Sequence, residues 1–426
     1  MRSVMQDAPC LDTLLALPED ERWPVARDWI RRAPRPFFAQ LRARQPVLDC
    51  GAVVLVAKRA AVAEILGLPG VFSVALYKPK MGAFMLALDE TEVNYRDKAV
   101  MRAVLPWGDL PAIRDLAGSI TDAALDAGNG ALDVVASIAR LVPLRIVQRF
   151  FGFAASDDDL LRWSYANQLD QFNNLPFDGR PDADAVQAAA AHARDEMRAA
   201  FASLIPARVA ALEAGADVPD DSLTRLLRLR LPAATGFGMD RVVINVGGLL
   251  IGTIETTAEA VVNALAEILR RPDVHAAARA AASAGPAAFD GFVWEALRFA
   301  PIVAFMFRQA EADHVLGQGS SGQARIRKGQ AVLPLSLSAM FDGDCVPDPD
   351  HFDATRPDHA FLHFGLGHHE CLGRHVAGVM VPEIVRRILL RHDVRADGPV
   401  EDGGTPFPTA FRITYRPDPP GGAKAR

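Results

Sequence analysis

Cysteine is scarce in this chain. Four are spread over 426 residues, at positions 10, 50, 345 and 371. None forms a Cys-x-x-Cys pair, which excludes a disulfide framework and a paired-thiolate zinc site. Positive charge is in deficit, with a formal net charge of -6, and that argues against nucleic acid as a general partner. Long apolar runs are also missing. The best, 242–254, falls short of the roughly 20 residues that a membrane span needs and ends at Glu255. The opening residues contain no signal-like apolar core, and no repeat of 20–50 residues stands out. Tyrosine is rare, with 4 residues against 22 phenylalanines. What is there is ordinary globular material, 50% hydrophobic and 23% charged, enough for a large core. The expectation is a cytoplasmic protein in a reducing compartment.

Helical patterning dominates. It is read at 19–45, 59–66, 90–107, 109–161, 185–214, 222–229, 240–270, 289–299 and from 371 to about 391. Strand-like pieces are few and short, at 53–56, 305–308, 315–316, 331–334 and near 411–414, with a turn at 317–322 that suggests a hairpin. Residues 167–185 are polar and rich in Pro and Gly, so a loop is expected. Strand and helix do not alternate strictly, which argues against a doubly wound sheet. The fold class expected is mainly α with small β-sheets, in one domain spanning 1–426 with loose ends at about 1–15 and 417–426.

The most informative stretch is F364-G-L-G-H-H-E-C-L-G-R-H-V-A377. A lone thiol, Cys371, lies in a Gly-rich loop that runs into a helical segment. Gly365, Gly367 and Gly373 permit tight turns. Amide N–H groups near a helix start favour a thiolate. A metal held by one protein ligand is implied, and haem iron on a cysteine thiolate fits. The stretch resembles the haem-binding signature of cytochromes P450, Phe-Gly-x-Gly-x-His-x-Cys-x-Gly. Phe364, Gly365, Gly367, His369, Cys371 and Gly373 fill its fixed positions, and Ala377 matches the small residue further on.

Gly252-Thr-Ile-Glu-Thr-Thr257 sets an acid beside hydroxyls in an apolar helix. On the residues alone two readings stand. Glu255 emerges into solvent, or it is buried beside a helix that Thr256 opens by bonding to the backbone one turn back. The segment is similar to the oxygen-activation motif of the same family. The resemblance makes Glu255 the acid and Thr256 the alcohol that guide protons. It puts Gly252 at the first small position and Thr253 where a glycine is usual. Glu295-Ala-Leu-Arg298 has ion-pair spacing on one helical face and looks like the family's Glu-x-x-Arg clamp, with Arg356 as its third partner.

The resemblance implies haem b as cofactor, with Cys371 on the iron, His369 and Arg308 on the propionates, and Arg96 as a further donor. It also implies a monooxygenase that inserts one atom of dioxygen into an apolar small molecule, a lipid, terpenoid or polyketide. Val246, Gly248, Leu249, Val303 and Phe305 are candidate pocket walls. Arg374, His375, Arg386, Arg387 and Arg391 would form a basic face for a separate ferredoxin or flavodoxin with its reductase, since no Gly-x-Gly-x-x-Gly unit or ferredoxin cysteine set follows Cys371. Two alternatives remain: a peroxygenase or peroxide isomerase/dehydratase, and a haem-binding protein without turnover.

Overall fold

The computed structural model describes residues 8–89, 91–319 and 323–417. Contacts gather the chain into two compact units. The first comprises Met1–Tyr95, Leu175–Pro181 and Pro301–Cys371, and the second Arg96–Asn174, Asp182–Ala300 and Leu372–Arg426. Neither is a contiguous stretch, because the chain passes back and forth between them.

The first unit is built on a five-stranded sheet. Val47–Asp49 pairs antiparallel with Val54–Val56, which runs parallel to Ala331–Pro334. Arg308–Ala310 pairs antiparallel with Ala331–Pro334 and with the short edge Phe72–Ser73. Val54, Leu55, Val56, Val332 and Leu333 are all buried, which explains why this β-branched material reads as continuous apolar runs. The expected hairpin forms between His314–Leu316 and Ala324–Ile326, nearer than the 331–334 strand. Its tip, 320–322, lies outside the described residues. The opening was expected to be loose to residue 15, yet Leu11–Leu15 is helical with Leu11 and Leu14 fully buried. Burial of apolar side chains outweighs the polar flanks.

The second unit holds the long helices and a three-stranded sheet of Ala131–Asp133, Arg412–Arg416 and His392–Ala396. Ala183–Glu213 is the longest helix, at 31 residues. The pattern expected as one helix over 240–270 is two, Met239–Ile251 and Ile254–Leu269, broken at Gly252–Thr253. Ile254, Ala258, Val261, Val262, Leu265 and Ile268 are fully buried at helical spacing. The combined stretch Met239–Leu269 is long and apolar enough to cross a membrane, but 67% of its most apolar window is buried inside the protein. It is a core element.

The polar segment after Asn167 does not start a loop. The helix Asp157–Asn173 continues through it. Asn167 donates to the Trp163 carbonyl at 2.9 Å, and Gln168 donates to the Ile251 carbonyl at 2.5 Å. The second bond satisfies an acceptor at the end of Met239–Ile251, where the break leaves carbonyls without helical partners. Polarity here marks buried hydrogen bonding, not solvent.

One buried charge pair lies within a helix, and a second cluster ties two helices together. Glu295 and Arg298 have no exposed surface, and Arg298 donates from Nε at 2.9 Å and Nη2 at 2.7 Å to the two carboxylate oxygens. In the other, Glu383 on Arg374–Leu390 receives Arg386, Arg387 and, from Leu110–Gly128, Arg114. The helices approach closely there: a Cβ on Gly118 would stand 3.0 Å from Glu383 Oε1. Burial alone would raise the Glu383 pKa, but hydrogen bonds and charge from Arg386 and Arg387 outweigh it and hold it below the ordinary value.

Removing one partner of a buried pair strands the other. Glu295→Ala should therefore lower unfolding stability by about 3–5 kcal/mol, read from urea denaturation midpoints; a loss under ~1 kcal/mol would mark the pair as dispensable. Because the Glu383 pKa is lowered on folding, its contribution is present above about pH 4.5 and is lost as pH falls further. Glu383→Gln should weaken the protein at pH 7 and flatten the acid limb of its melting temperature against pH.

Candidate active site

Local backbone geometry shapes the Cys371 loop. Gly365 and Gly367 have φ of +73° and +72°, the left-handed region. A Cβ on Gly367 would lie 2.9 Å from the Leu66 carbonyl oxygen, so glycine is required both by conformation and by space. Gly373 has φ of −82° and caps the helix Arg374–Leu390, so there the expected freedom of glycine is unused. The Cys371 amide donates to the Phe364 carbonyl at 2.9 Å and closes the loop. Its thiol is exposed and in no disulfide, and the helix begins three residues further along the chain.

His369 belongs to the same loop and its side chain is 6% exposed. Neither ring nitrogen has a hydrogen-bond partner, and the nearest carboxylate oxygen, Asp89 Oδ1, is 3.5 Å from Nε2. Arg308, on the five-stranded sheet, is 4% exposed. Its Nη1 donates to the Phe307 carbonyl at 2.9 Å, and among the described residues no carboxylate lies within ion-pair distance. Burial depresses its pKa, with Tyr77 and Asp89 opposing. Tyr77 stacks on Phe307 at 3.8 Å between centroids, and burial pushes its hydroxyl pKa up to about 12. A buried cation without a counter-ion and a buried imidazole whose ring nitrogens lack a hydrogen bond are both costly unless an anion joins them. With an accessible thiol in the same unit, they fit a haem: Cys371 to the iron, His369 and Arg308 to the propionates.

Arg96, expected as a further donor, is engaged by protein groups. Its Nε donates to Asp97 at 2.8 Å and its Nη1 to the Thr235 carbonyl at 3.1 Å. Asp97 is fully buried and also receives Arg241 Nε at 2.7 Å and Asn245 Nδ2 at 2.7 Å. A buried carboxylate captures the nearest cations, and Arg96 is one of them. Arg356 donates to the carbonyls of Pro347, Asp348 and His351, bracing its own loop.

The basic face expected after Cys371 is mostly neutralised. Arg386 and Arg387 are held by Glu383, and Arg391 by Asp126 at 2.8 Å. Glu383 lies one turn earlier on the same helix, at i,i+3 and i,i+4 spacing, whereas Asp122 and Asp126 are distant in sequence, where periodicity cannot reveal them. His375 is exposed and stacks on Trp107, itself 66% exposed, at 3.9 Å between centroids.

In the second unit the break at Gly252–Thr253 organises the other set of candidates. Thr256 Oγ1 donates to the Gly252 carbonyl at 2.7 Å, and Thr253 Oγ1 to the Leu249 carbonyl at 2.6 Å. Such back-bonding loosens a helix. Glu255 is 1% exposed, which decides between the two readings of that acid. Arg140 reaches it from Nε at 3.2 and 3.1 Å and from Nη2 at 2.9 Å. Burial raises the Glu255 pKa and Arg140 draws it part of the way back. Arg140 lies 115 residues upstream and gave no sequence signal. On the preceding helix, Met239–Ile251, Val246 is fully buried, Leu249 is 8% exposed and Gly248 half-buried. In the first unit Val303 is 40% exposed and Phe305 half-buried. Val246 therefore sits in the core, where its apolar neighbours hold it.

The donors in the first unit fit a thiolate-ligated haem protein. The cytochrome P450 family profile matches residues 288–412. Cytochrome P450 107B1 of Saccharopolyspora erythraea is 29% identical over 74% of this chain and 71% of its own. A steroid C26-monooxygenase of Mycolicibacterium smegmatis is 26% identical over 91% of this chain and 94% of its own. The solved cytochrome P450 CYP109Q5 of Chondromyces apiculatus superposes with a TM-score of 0.74 at 23% identity, covering 91% of this chain and 97% of that one. Together these matches support a member of the cytochrome P450 family, a haem-dependent monooxygenase and so an oxidoreductase.

Gly367→Ala adds a side chain at positive φ against a carbonyl and should destabilise the loop by about 1–3 kcal/mol. The expected readout is a lower haem-to-protein ratio after purification, with the rest of the fold intact by circular dichroism.

Proposed function

We propose that this chain, working as a single domain over 1–426, inserts one oxygen atom from dioxygen into an apolar small molecule, with electrons from a separate ferredoxin or flavodoxin and its reductase. The observation that carries the proposal is the opened turn at Gly252–Thr256, where a buried acid held by Arg140 neighbours a hydroxyl turned onto a freed carbonyl. Haem, when bound, supplies the redox and oxygen-atom chemistry. This chain's residues do the rest. Cys371 gives a thiolate ligand, whose charge the adjoining helix start favours. His369 and Arg308 take the propionate charges and fix ring orientation. Thr256 Oγ1 and Glu255 hold and hand on protons at the opened turn. Glu295 and Arg298, with Arg356 bracing its loop, keep the scaffold in register.

The Thr253 hydroxyl is turned back on the Leu249 carbonyl, so it is already engaged and not an extra donor at the turn. The apolar character of Leu249, Val303 and Phe305 supports a lipid, terpenoid or polyketide substrate, and the steroid monooxygenase relative is consistent with it. A partner would dock by Arg374, His375 and the exposed Trp107, a smaller basic face than the helix sequence suggests. A reducing cytoplasm suits both the thiolate and such partners.

The test has two stages. The reduced, carbon-monoxide-treated protein should show the red-shifted thiolate Soret band, and Cys371→Ala should lose it. Apolar ligands that convert the haem from low to high spin are then incubated with a surrogate reductase. A product carrying one additional oxygen, formed at the expense of reduced nicotinamide and dioxygen, is expected. Turnover with peroxide alone, or binding without product, would overturn the proposal.

A further inference from the structure

Glu259 is an acid that the roles above leave unused. It stands one turn after Glu255 in Ile254–Leu269, and helix residues four apart lie over one another. It is half-buried. Among the described residues no cation pairs with it. The one charged group that acts on it is Glu255, on its own helix; none on the elements packed against that helix does. The cations nearby are already engaged: Arg140 by Glu255, Arg145 by Asp157, Arg298 by Glu295, Arg386 and Arg387 by Glu383, and Arg279 by His392. Asp170, on Asp157–Asn173, is engaged by Arg194 and Asn174. Burial first, and then the charge of Glu255, push the Glu259 pKa up to about 8. The side chain is therefore a neutral carboxylic acid at pH 7.

We infer that Glu259 holds the proton that Glu255 passes to the opened turn at Gly252–Thr256. The inference rests on the monooxygenase reading, which needs a proton path to that turn. The transfer balances without any electron movement. The Glu259 O–H bond breaks, its proton goes to a Glu255 carboxylate oxygen, and Glu259 takes a proton back from solvent. Glu255 can accept it, because three contacts from Arg140 leave room among roughly four lone-pair positions. Glu255 is the fixed member, oriented by Arg140, and Glu259 the reservoir one turn away.

Glu259→Gln and Glu259→Asp test this in haem-loaded protein, matched by the reduced carbon-monoxide band. Glu259→Met replaces the first if glutamine prevents haem loading. One arm needs no turnover. A carboxyl whose folded pKa of about 8 exceeds its unfolded value near 4.5 makes the native state bind the extra proton between them, so its contribution falls as pH rises through that window. The melting temperature of the unaltered protein should therefore drop, relative to Glu259→Gln, between pH 5 and pH 9. Parallel curves would overturn the inference. The second arm measures product and peroxide per reduced nicotinamide with a surrogate reductase. Glu259→Gln should cut product formation about 100-fold with KM unchanged and divert reducing equivalents to peroxide, while Glu259→Asp keeps most of the activity. Equal coupling in Glu259→Gln, or equal impairment in Glu259→Asp, would assign the residue a packing role only. If even the unaltered protein consumes no dioxygen, the monooxygenase reading fails, and the melting curves still decide whether Glu259 carries the proton.

Discussion

A carboxylate removed from water must find a cation, and Glu255 finds Arg140. That contact sets much of the second unit. It holds an acid inside a helix that is otherwise apolar, and it does so beside a break where Gly252 and Thr253 replace regular helical turns. The break in turn exposes carbonyls. Thr253, Thr256 and, from a separate helix, Gln168 occupy three of them. A continuous helix would satisfy those acceptors internally and leave the hydroxyls no work. Burial, backbone opening and side-chain chemistry are one arrangement here, since each removes a cost that another creates.

The first unit solves the opposite problem. Arg308 is a buried cation with no carboxylate at ion-pair distance among the described residues, and His369 a buried ring whose nitrogens make no hydrogen bond. In a structure where Glu383 collects several guanidinium groups and Asp97 collects two with an amide, uncompensated groups of this kind are conspicuous. Elsewhere the protein closes its buried charges on itself, as Glu295 and Arg298 do. An anion brought by a cofactor is what would complete His369 and Arg308, and the haem propionates are such anions. The contrast with Arg96 is instructive. Its charge is taken by Asp97, and that is why the same residue type serves a different end.

Short-range rules carried the reading of the chain a long way. The helices 59–66, 185–214 and 222–229 and the strand 331–334 were legible because period and punctuation act locally. The Cys371 signature was legible because backbone conformation limits which residues can stand at positive φ, and a thiolate needs its loop. Polar burial misled the same rules twice. Asn167 and Gln168 look like loop residues, yet their amides close hydrogen bonds inside the unit. Arg386, Arg387 and Arg391 look like a basic surface, yet Glu383, Asp122 and Asp126 neutralise them.

The sequence by itself determined the haem-thiolate signature, the acid–alcohol pair, the predominance of helix and the spacing of the Glu295–Arg298 clamp. All of these are properties of neighbours along the chain. Only the tertiary structure decided which charges are already spoken for. Arg140 and Glu255 are 115 residues apart, and Arg96 is drawn off by a carboxylate that itself binds Arg241 far downstream. For charges far apart along the chain, pairing depends on distance through space, and no local pattern encodes which partner folding will bring.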